Sequence, residues 1–276
     1  VSNNTSMNGL LQTRSFLFVP GDRPERFDKA LQSGGDAVIL DLEDAVSPEN
    51  KSEARRAIEA WLTPDRPVLI RVNAPGTSWF EDDAQLCRLR GVAGIVLPKA
   101  ESASDVVELV SRTKSRMPVY ALIETAKGMC NAMGVARAPF VRQLMFGTLD
   151  FCADLGLASD GDELDHFRAD LAVTSRVAGI APPIDGVTPA IEDDDLLRVE
   201  TLKARRWGFV GKLCIHPRQV AIVNAAFAPS EDELAWARRV IEAFKTADGA
   251  AVAVDGKMVD RPVVQRAQSI LDAVAA

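Results

Sequence analysis

Eight short apolar runs recur along the chain, and most are apolar at consecutive positions rather than at alternate ones. They are FLFV (16–19), AVILDL (37–42), PVLIRV (67–72), GIVLPK (94–99), VYALIE (119–124), QLMFG (143–147), PPID (182–185) and KLCI (212–215). Continuous apolar runs of this length predict parallel strands covered on both faces, and the segments between them carry helical periodicity. Residues 24–32 open on Pro24 and stop before Gly34-Gly35, which are start and stop signals for a helix. Ser47-Pro48-Glu49 opens another, with Ala54, Ala57, Ile58 and Trp61 on its apolar face and Thr63-Pro64-Asp65 ending it. Residues 102–115 and 163–179 follow the same rule. Eight βα units in succession predict an α/β chain folded as a (β/α)8 TIM barrel, with a doubly wound open sheet as the alternative. The seventh run is the weakest, because its two prolines cannot donate to a central ladder.

After the eighth run, His216-Pro217 leads into a helix through Asn224. Pro229-Ser230-Glu231 caps a long amphipathic helix to Thr246, and residues 249–259 read as a hairpin turning at Asp255-Gly256. A final helix from Arg261 carries Val264, Ala267, Ile270, Leu271 and Val274 on one side. The expected organisation is a polar, fraying leader (1–13), a barrel (14–228) and a C-terminal extension of helix, hairpin and helix (229–276). Such a tail exceeds what barrel closure needs and is expected to cover a neighbouring subunit or the barrel mouth.

Composition narrows the function classes. The chain has 276 residues and 47% hydrophobic content, enough for a large core. A net charge of −7 with dispersed arginines gives no footprint for nucleic acid, so none is expected as a partner. Cys87, Cys130, Cys152 and Cys214 form no CxxC pair, which points away from a disulfide framework and toward a reducing, cytoplasmic setting. No signal peptide and no membrane span are predicted.

Strand C-termini converge on one rim of a parallel barrel, so the polar residues there are the candidate chemistry. Glu124 and Asp150 end the fifth and sixth strands. They read either as oxygen ligands for Mg²⁺ or Mn²⁺ or as helix-flanking acids at βα turns. Arg71 lies inside PVLIRVN, where a buried guanidinium needs an anion: a substrate carboxylate, or an internal partner such as Glu43 or Asp44. Lys99 reads as a Schiff-base nucleophile or, more commonly, as a partner of nearby carboxylates. His216 is expected to fix the loop before Pro217, and His166 to lie on a helix surface; two histidines are too few for a zinc cluster. Gly21 and Gly147 read as tight-turn positions.

The runs RSFLFVPGDRPERFDKA, AVILDLEDAVSPENKSEAR, LIRVNAPGTSWFEDD, GIVLPKAES, LIETAKGM, FGTLDFCADLG, GKLCIHPRQV and VDGKMVDRPV resemble, in order, the citrate lyase β-subunit-like branch of the HpcH/HpaI aldolase family. The resemblance implies a (β/α)8 barrel assembled as homotrimers or hexamers. It implies that Glu124 and Asp150 hold Mg²⁺, with Mn²⁺ as the alternative. It also implies that Arg71 grips the acid carboxylate, that Glu124 lies against substrate, and that Arg14 helps line the CoA or substrate entrance. The hairpin acid Asp260 would reach a neighbouring subunit's site as the proton donor. The implied reaction is cleavage of a citryl-, citramalyl- or malyl-type thioester, carried on CoA or an acyl carrier, into a 2-oxo acid and an acetyl thioester. A malyl-CoA-type thioesterase and a non-catalytic acyl-CoA-binding regulator are the alternatives. In the ETAxG motif, the variable slot is the charged Lys127, next to but not at the ligand.

Overall fold

A computed structural model of the chain describes residues 13–247 and 250–275; residues 1–12 of the expected leader and Gly249 of the expected hairpin lie outside the described residues. Eight parallel strands close into a barrel in sequence order: β1 (Ser15–Pro20), β2 (Ala37–Asp41), β3 (Val68–Arg71), β4 (Val92–Leu97), β5 (Val119–Ile123), β6 (Val141–Phe146), β7 (Ala181–Asp185) and β8 (Gly211–Cys214). Pairing of β1 with both β2 and β8 leaves no free edge. All eight runs of the sequence are strands, and the continuous apolar pattern has its cause in burial on both faces. One side chain set, including Phe16, Ile39, Leu69, Val96, Tyr120, Met145, Ile184 and Leu213, fills the barrel interior. The alternate set, including Leu17, Leu40, Ile70, Ile95, Ala121 and Leu144, is buried as well.

Strand β7 holds its place despite Pro182 and Pro183 because proline lacks only the donor. Pro182 O accepts from Gln143 Nε2 at 2.5 Å and Pro183 O accepts from Val210 N at 3.1 Å. The β6–β7 register shifts between Gln143 and Met145, which absorbs the missing N–H groups.

The helices of the barrel are α1 (Phe27–Leu31), α2 (Lys51–Trp61), α3 (Phe80–Leu86), α4 (Ala103–Thr113), α5 (Ala126–Cys130), α6 (Ala132–Ala136), α7 (Thr148–Leu155), α8 (Asp165–Ala178) and α9 (Asp194–Arg206), followed by α10 (Pro217–Phe227). Ser102 closes a capping box with Asp105 on α4, and Lys114 and Gly179 end α4 and α8 in the left-handed region. Between β5 and β6 the chain forms two short helices, broken at Asn131, whose side chain donates to Glu101 O at 2.9 Å. The first helix likewise begins as a 3₁₀ turn over Pro24–Arg26.

Compactness divides the described chain into a barrel unit to Asn224 and a C-terminal unit from Ala225. In the second unit Ser230 closes a capping box with Glu233 on α11 (Glu231–Thr246). Strands β9 (Val252–Val254) and β10 (Lys257–Val259) pair antiparallel, and α12 (Arg261–Ala275) follows. Asp255 and Gly256 both have positive φ, as a two-residue hairpin turn of the expected kind requires. Ala237, Val240, Val254, Val259 and Ala267 form this unit's own core. Ala267 of the expected α12 stripe is buried, whereas Val274 is exposed.

Candidate active site

The C-terminal ends of β1, β2, β3, β5, β6 and β8 surround a cavity of about 230 Å³. Its lining is apolar on most sides, with Phe18, Leu122, Phe146, Val187, Leu213 and Ile215, and polar at Asp41, Asp44, Arg71, Glu124, Thr148 and Asp150. The structure therefore brings Arg71, Glu124 and Asp150 together, although 79 positions of sequence separate the outer two.

Arg71 ends β3 beside Asp41, its Cα partner on β2. Its Nε donates to Asp41 Oδ1 at 2.7 Å and its Nη2 to Asp41 Oδ2 at 2.6 Å, a fork-to-carboxylate pair. Nη1 lies 2.8 Å from Glu43 Oε2, a contact too misaligned to satisfy that oxygen as a hydrogen bond. The guanidinium also stacks over Phe18, 4.7 Å from the ring centroid. Burial disfavours the charge, but Asp41 and then Glu43 more than offset this and hold Arg71 above its ordinary value. The internal partners are thus Asp41 and Glu43, not Asp44.

Glu124, one residue past β5, is 1% exposed. Its Oε1 accepts from the backbone N–H of Lys99 at 2.7 Å. Burial and then the negative charge of Glu43, with a further contribution from Asp150, push this carboxyl up to about 8, against the opposing pull of the Lys99 N–H and Arg71. Gly147 makes the approach to β6 possible, because a Cβ there would sit 2.5 Å from Glu124 Oε2. Asp150 follows within the first turn of α7 and is exposed at the cavity mouth. The Thr148 hydroxyl, also lining the cavity, has no hydrogen-bond partner.

Lys99 ties the second acidic loop to this group: its Nζ donates to Glu43 Oε1 at 2.7 Å. Burial opposes its charge, but the bond to Glu43 prevails and keeps its ammonium above the ordinary value, unlike the lowered amine that a Schiff-base nucleophile needs. The β2 loop carrying Glu43 is itself pinned by buried Lys51, whose Nζ donates to the carbonyls of Leu42 and Glu43 at 2.6 Å each.

Not every residue singled out in the sequence lines this cavity. Arg14 was expected at the entrance, but it immediately precedes β1, where its N–H donates to Asp36 Oδ2 at 2.7 Å and its carbonyl accepts from Lys212 N. In a parallel barrel that is the N-terminal end, opposite the cavity of its own chain. Asp260 belongs to the C-terminal unit and there caps α12 through Val263 N at 3.4 Å. His216 accepts from Arg218 N at 3.2 Å within its loop, and His166 is exposed on α8. Asp41 as Arg71's partner was legible in principle, since both end adjacent parallel strands. Lys51 and Thr148 gave no signal, being one lysine and one threonine in amphipathic helices.

The donors suit a hard divalent cation. Four carboxylates line the cavity, of which Asp41 is engaged by Arg71, with no histidine or thiol, and a buried acid such as Glu124, destabilised by neighbouring negative charge, is relieved when a cation binds. Among the described residues no group of three or more His, Cys, Asp and Glu side chains converges as a closed protein-only metal site. Such an incomplete set leaves positions for water and substrate oxygens.

Fold and rim together define a (β/α)8 barrel with an acidic site at its strand C-termini. The chain belongs to the HpcH/HpaI aldolase/citrate lyase family, whose model matches residues 14–217. A further model, for C–C bond lyases of the TIM-barrel fold, matches residues 165–275. The chain is 40% identical over 264 residues to the citrate lyase subunit beta-like protein of Mycobacterium tuberculosis (strain ATCC 25618 / H37Rv), covering 93% of each. It is 37% identical over 276 residues to a (3S)-malyl-CoA thioesterase of Cereibacter sphaeroides, covering 95% of this chain and 96% of that one. It also resembles the crystal structure of CitE from M. tuberculosis in complex with magnesium, acetoacetate and coenzyme A, with a TM-score of 0.86, 38% identity, and 96% and 99% coverage.

Proposed function

We propose that this protein is a divalent-metal-dependent carbon–carbon lyase that cleaves a citryl-, citramalyl- or malyl-type acyl thioester into a 2-oxo acid and an acetyl thioester. The observation that carries the reading is the buried Glu124, facing Asp150 and Arg71 across one small, mostly apolar cavity. Glu124 and Asp150 hold the ion, and Mg²⁺ fits their all-oxygen character, as does its presence in the CitE complex. When bound, the ion supplies Lewis acidity to the substrate's hydroxyl and carboxylate oxygens and orients them.

Arg71, anchored by Asp41 and Glu43, keeps a fixed positive charge beside the place where the acid carboxylate sits. The apolar lining lowers the local dielectric and so strengthens that attraction. In the reaction the hydroxyl gives up its proton to solvent water and its carbon becomes the carbonyl of the 2-oxo acid. The bond to the thioester α-carbon breaks, and that carbon keeps the electron pair and accepts a proton. Asp260 of a neighbouring copy is the donor, a role that rests on the family resemblance of the GKMVD hairpin. The acyl part is carried on CoA or an acyl carrier, in a homotrimer or hexamer.

The experiment that tests the metal assignment is a titration of activity with Mg²⁺ in wild type, Glu124→Gln and Asp150→Asn. Both variants should be inactive at any Mg²⁺ concentration without losing thermal stability, and full turnover in either would defeat the assignment. Hydrolysis of the thioester is the second reading, favoured by the full-length similarity to the Cereibacter thioesterase.

A further inference from the structure

Lys99 holds a backbone conformation that ordinarily favours glycine or asparagine. Among the described residues only four non-glycine positions have positive φ: Lys99 at 47°, Lys114, Phe140 and Asp255. Lys114 ends a helix and Asp255 turns a hairpin, the two ordinary homes of the left-handed region. Lys99 does neither. It stands two residues beyond β4, with Pro98 before it and Ala100 fixed after it by its N–H bond to Leu122 O at 3.1 Å. A lysine held there is strained, and such strain persists only where surrounding contacts determine it.

Those contacts are two carboxylates. The left-handed turn aims the Lys99 N–H at Glu124 Oε1, 2.7 Å away, while its Nζ reaches Glu43 Oε1, also 2.7 Å away. Glu43 is in turn held by Arg71 Nη1 at 2.8 Å, and its loop by Lys51. Lys99 does not itself line the cavity. One residue thus clips an acid of the β2 loop to the acid at the end of β5.

We propose that Lys99 is a positioning residue for Glu124: its strained backbone N–H fixes one carboxylate oxygen, leaving the other to the metal, and its ammonium locks that conformation by anchoring on Glu43. The proposal rests on the reading of Glu124 as a metal ligand, and it assigns the lysine no contact with substrate. A distinctive order of variants follows. Alanine keeps the φ penalty and loses the anchor, so the turn relaxes and the N–H leaves Glu124. Glycine loses the anchor but occupies positive φ freely, so the N–H stays available. Arginine retains a cation for Glu43.

The experiment measures Mg²⁺ affinity by calorimetry, steady-state kinetics, and metal-free crystal structures for Lys99→Ala, Lys99→Gly and Lys99→Arg. Loss of a group that orients a metal ligand typically weakens metal binding roughly 10- to 100-fold, and Lys99→Ala should fall in that range. Its kcat should drop with KM for the thioester within about twofold, since the lost interaction acts on the metal site rather than on uniform substrate binding. Lys99→Gly should retain tighter Mg²⁺ binding than Lys99→Ala, and Lys99→Arg should be nearest wild type. Equal affinities in wild type and Lys99→Ala, or a glycine variant no better than alanine, would overturn the proposal. If wild type itself bound no Mg²⁺, the metal reading would fail separately, and the metal-free structures would judge Lys99. A Glu124 carboxylate displaced from residue 99 N–H in the alanine variant but not in the glycine variant supports the proposal, and an unmoved carboxylate in alanine rejects it.

Discussion

Asp41 and Arg71 are joined twice, as Cα partners across β2 and β3 and as a two-bond side-chain pair at 2.6 and 2.7 Å. The ladder that closes the barrel therefore also aims the guanidinium at the cavity. A strand register and a charge geometry are one feature here, and altering either residue should disturb both fold and chemistry.

Asp41→Asn should lower stability by about 3 kcal/mol, the usual scale for removing one partner of a buried ion pair, and lower kcat/KM as Arg71 loses its orientation. Arg71→Lys keeps a positive charge but not the planar fork, so Asp41 is left half satisfied. Urea unfolding alongside steady-state kinetics would check this. A variant with wild-type stability and turnover would show that the pair does not matter to either.

Glu124→Gln should separate stability from activity. Burial, Glu43 and Asp150 all disfavour the Glu124 charge, so the neutral amide should raise the melting temperature of the metal-free protein while abolishing turnover. Addition of Mg²⁺ should stabilise wild type and leave the variant unmoved. Thermal melts with and without chelator decide it, and equal Mg²⁺ shifts in both proteins would exclude Glu124 as a ligand.

Acid sensitivity should arise away from the cavity. Asp185 is fully buried and receives Arg168 Nε at 2.9 Å and Lys212 Nζ at 3.3 Å. Burial alone would raise its carboxyl, but Lys212 and Arg168 outweigh it and hold Asp185 below the ordinary carboxylate range. A folded value below the unfolded one means that the contribution is fully present above about pH 4 and is lost as pH falls through the folded value. Asp185→Asn should therefore cost about 3 kcal/mol near neutrality and flatten the acid limb of stability against pH. An unchanged acid limb would assign it to other carboxylates.

Thiol reactivity should follow burial. Cys87 and Cys214 are buried, and burial pushes the Cys214 thiol up to about 12 and Cys87 higher still. A disulfide reagent should modify exposed Cys130 quickly, the half-buried Cys152 slowly and the other two only after denaturation. Mass spectrometry of labelled peptides reads the order directly.

Much of this architecture was legible because the physics behind it is local. Parallel strands buried on both faces leave continuous apolar runs, and all eight were visible, even the run with two prolines. Capping residues such as Ser102 and Ser230 marked helix starts for the same reason. The break at Asn131 was not visible, since it depends on a side-chain bond to Glu101, 30 positions away. At the site, Glu124 and Asp150 could be placed because strand ends converge. Arg14 sits before the first strand, at the end of the barrel opposite this chain's cavity, a placement its sequence position already implied. The Lys99 turn and the Lys51 anchor left no trace in the sequence, because each exists only through partners supplied by other loops.

The proposed carbon–carbon cleavage with a divalent metal held by Glu124 and Asp150 can be measured in one assay. Its most direct test incubates the enzyme with malyl-, citramalyl- and citryl-CoA and quantifies 2-oxo acid, acetyl-CoA and free thiol together, with Mg²⁺ and with chelator. The expected result is 2-oxo acid and acetyl-CoA in equal amounts from at least one substrate, no matching release of free thiol, and no product in chelator. Free thiol with the hydroxy acid left intact, or cleavage undiminished by chelator, would contradict it.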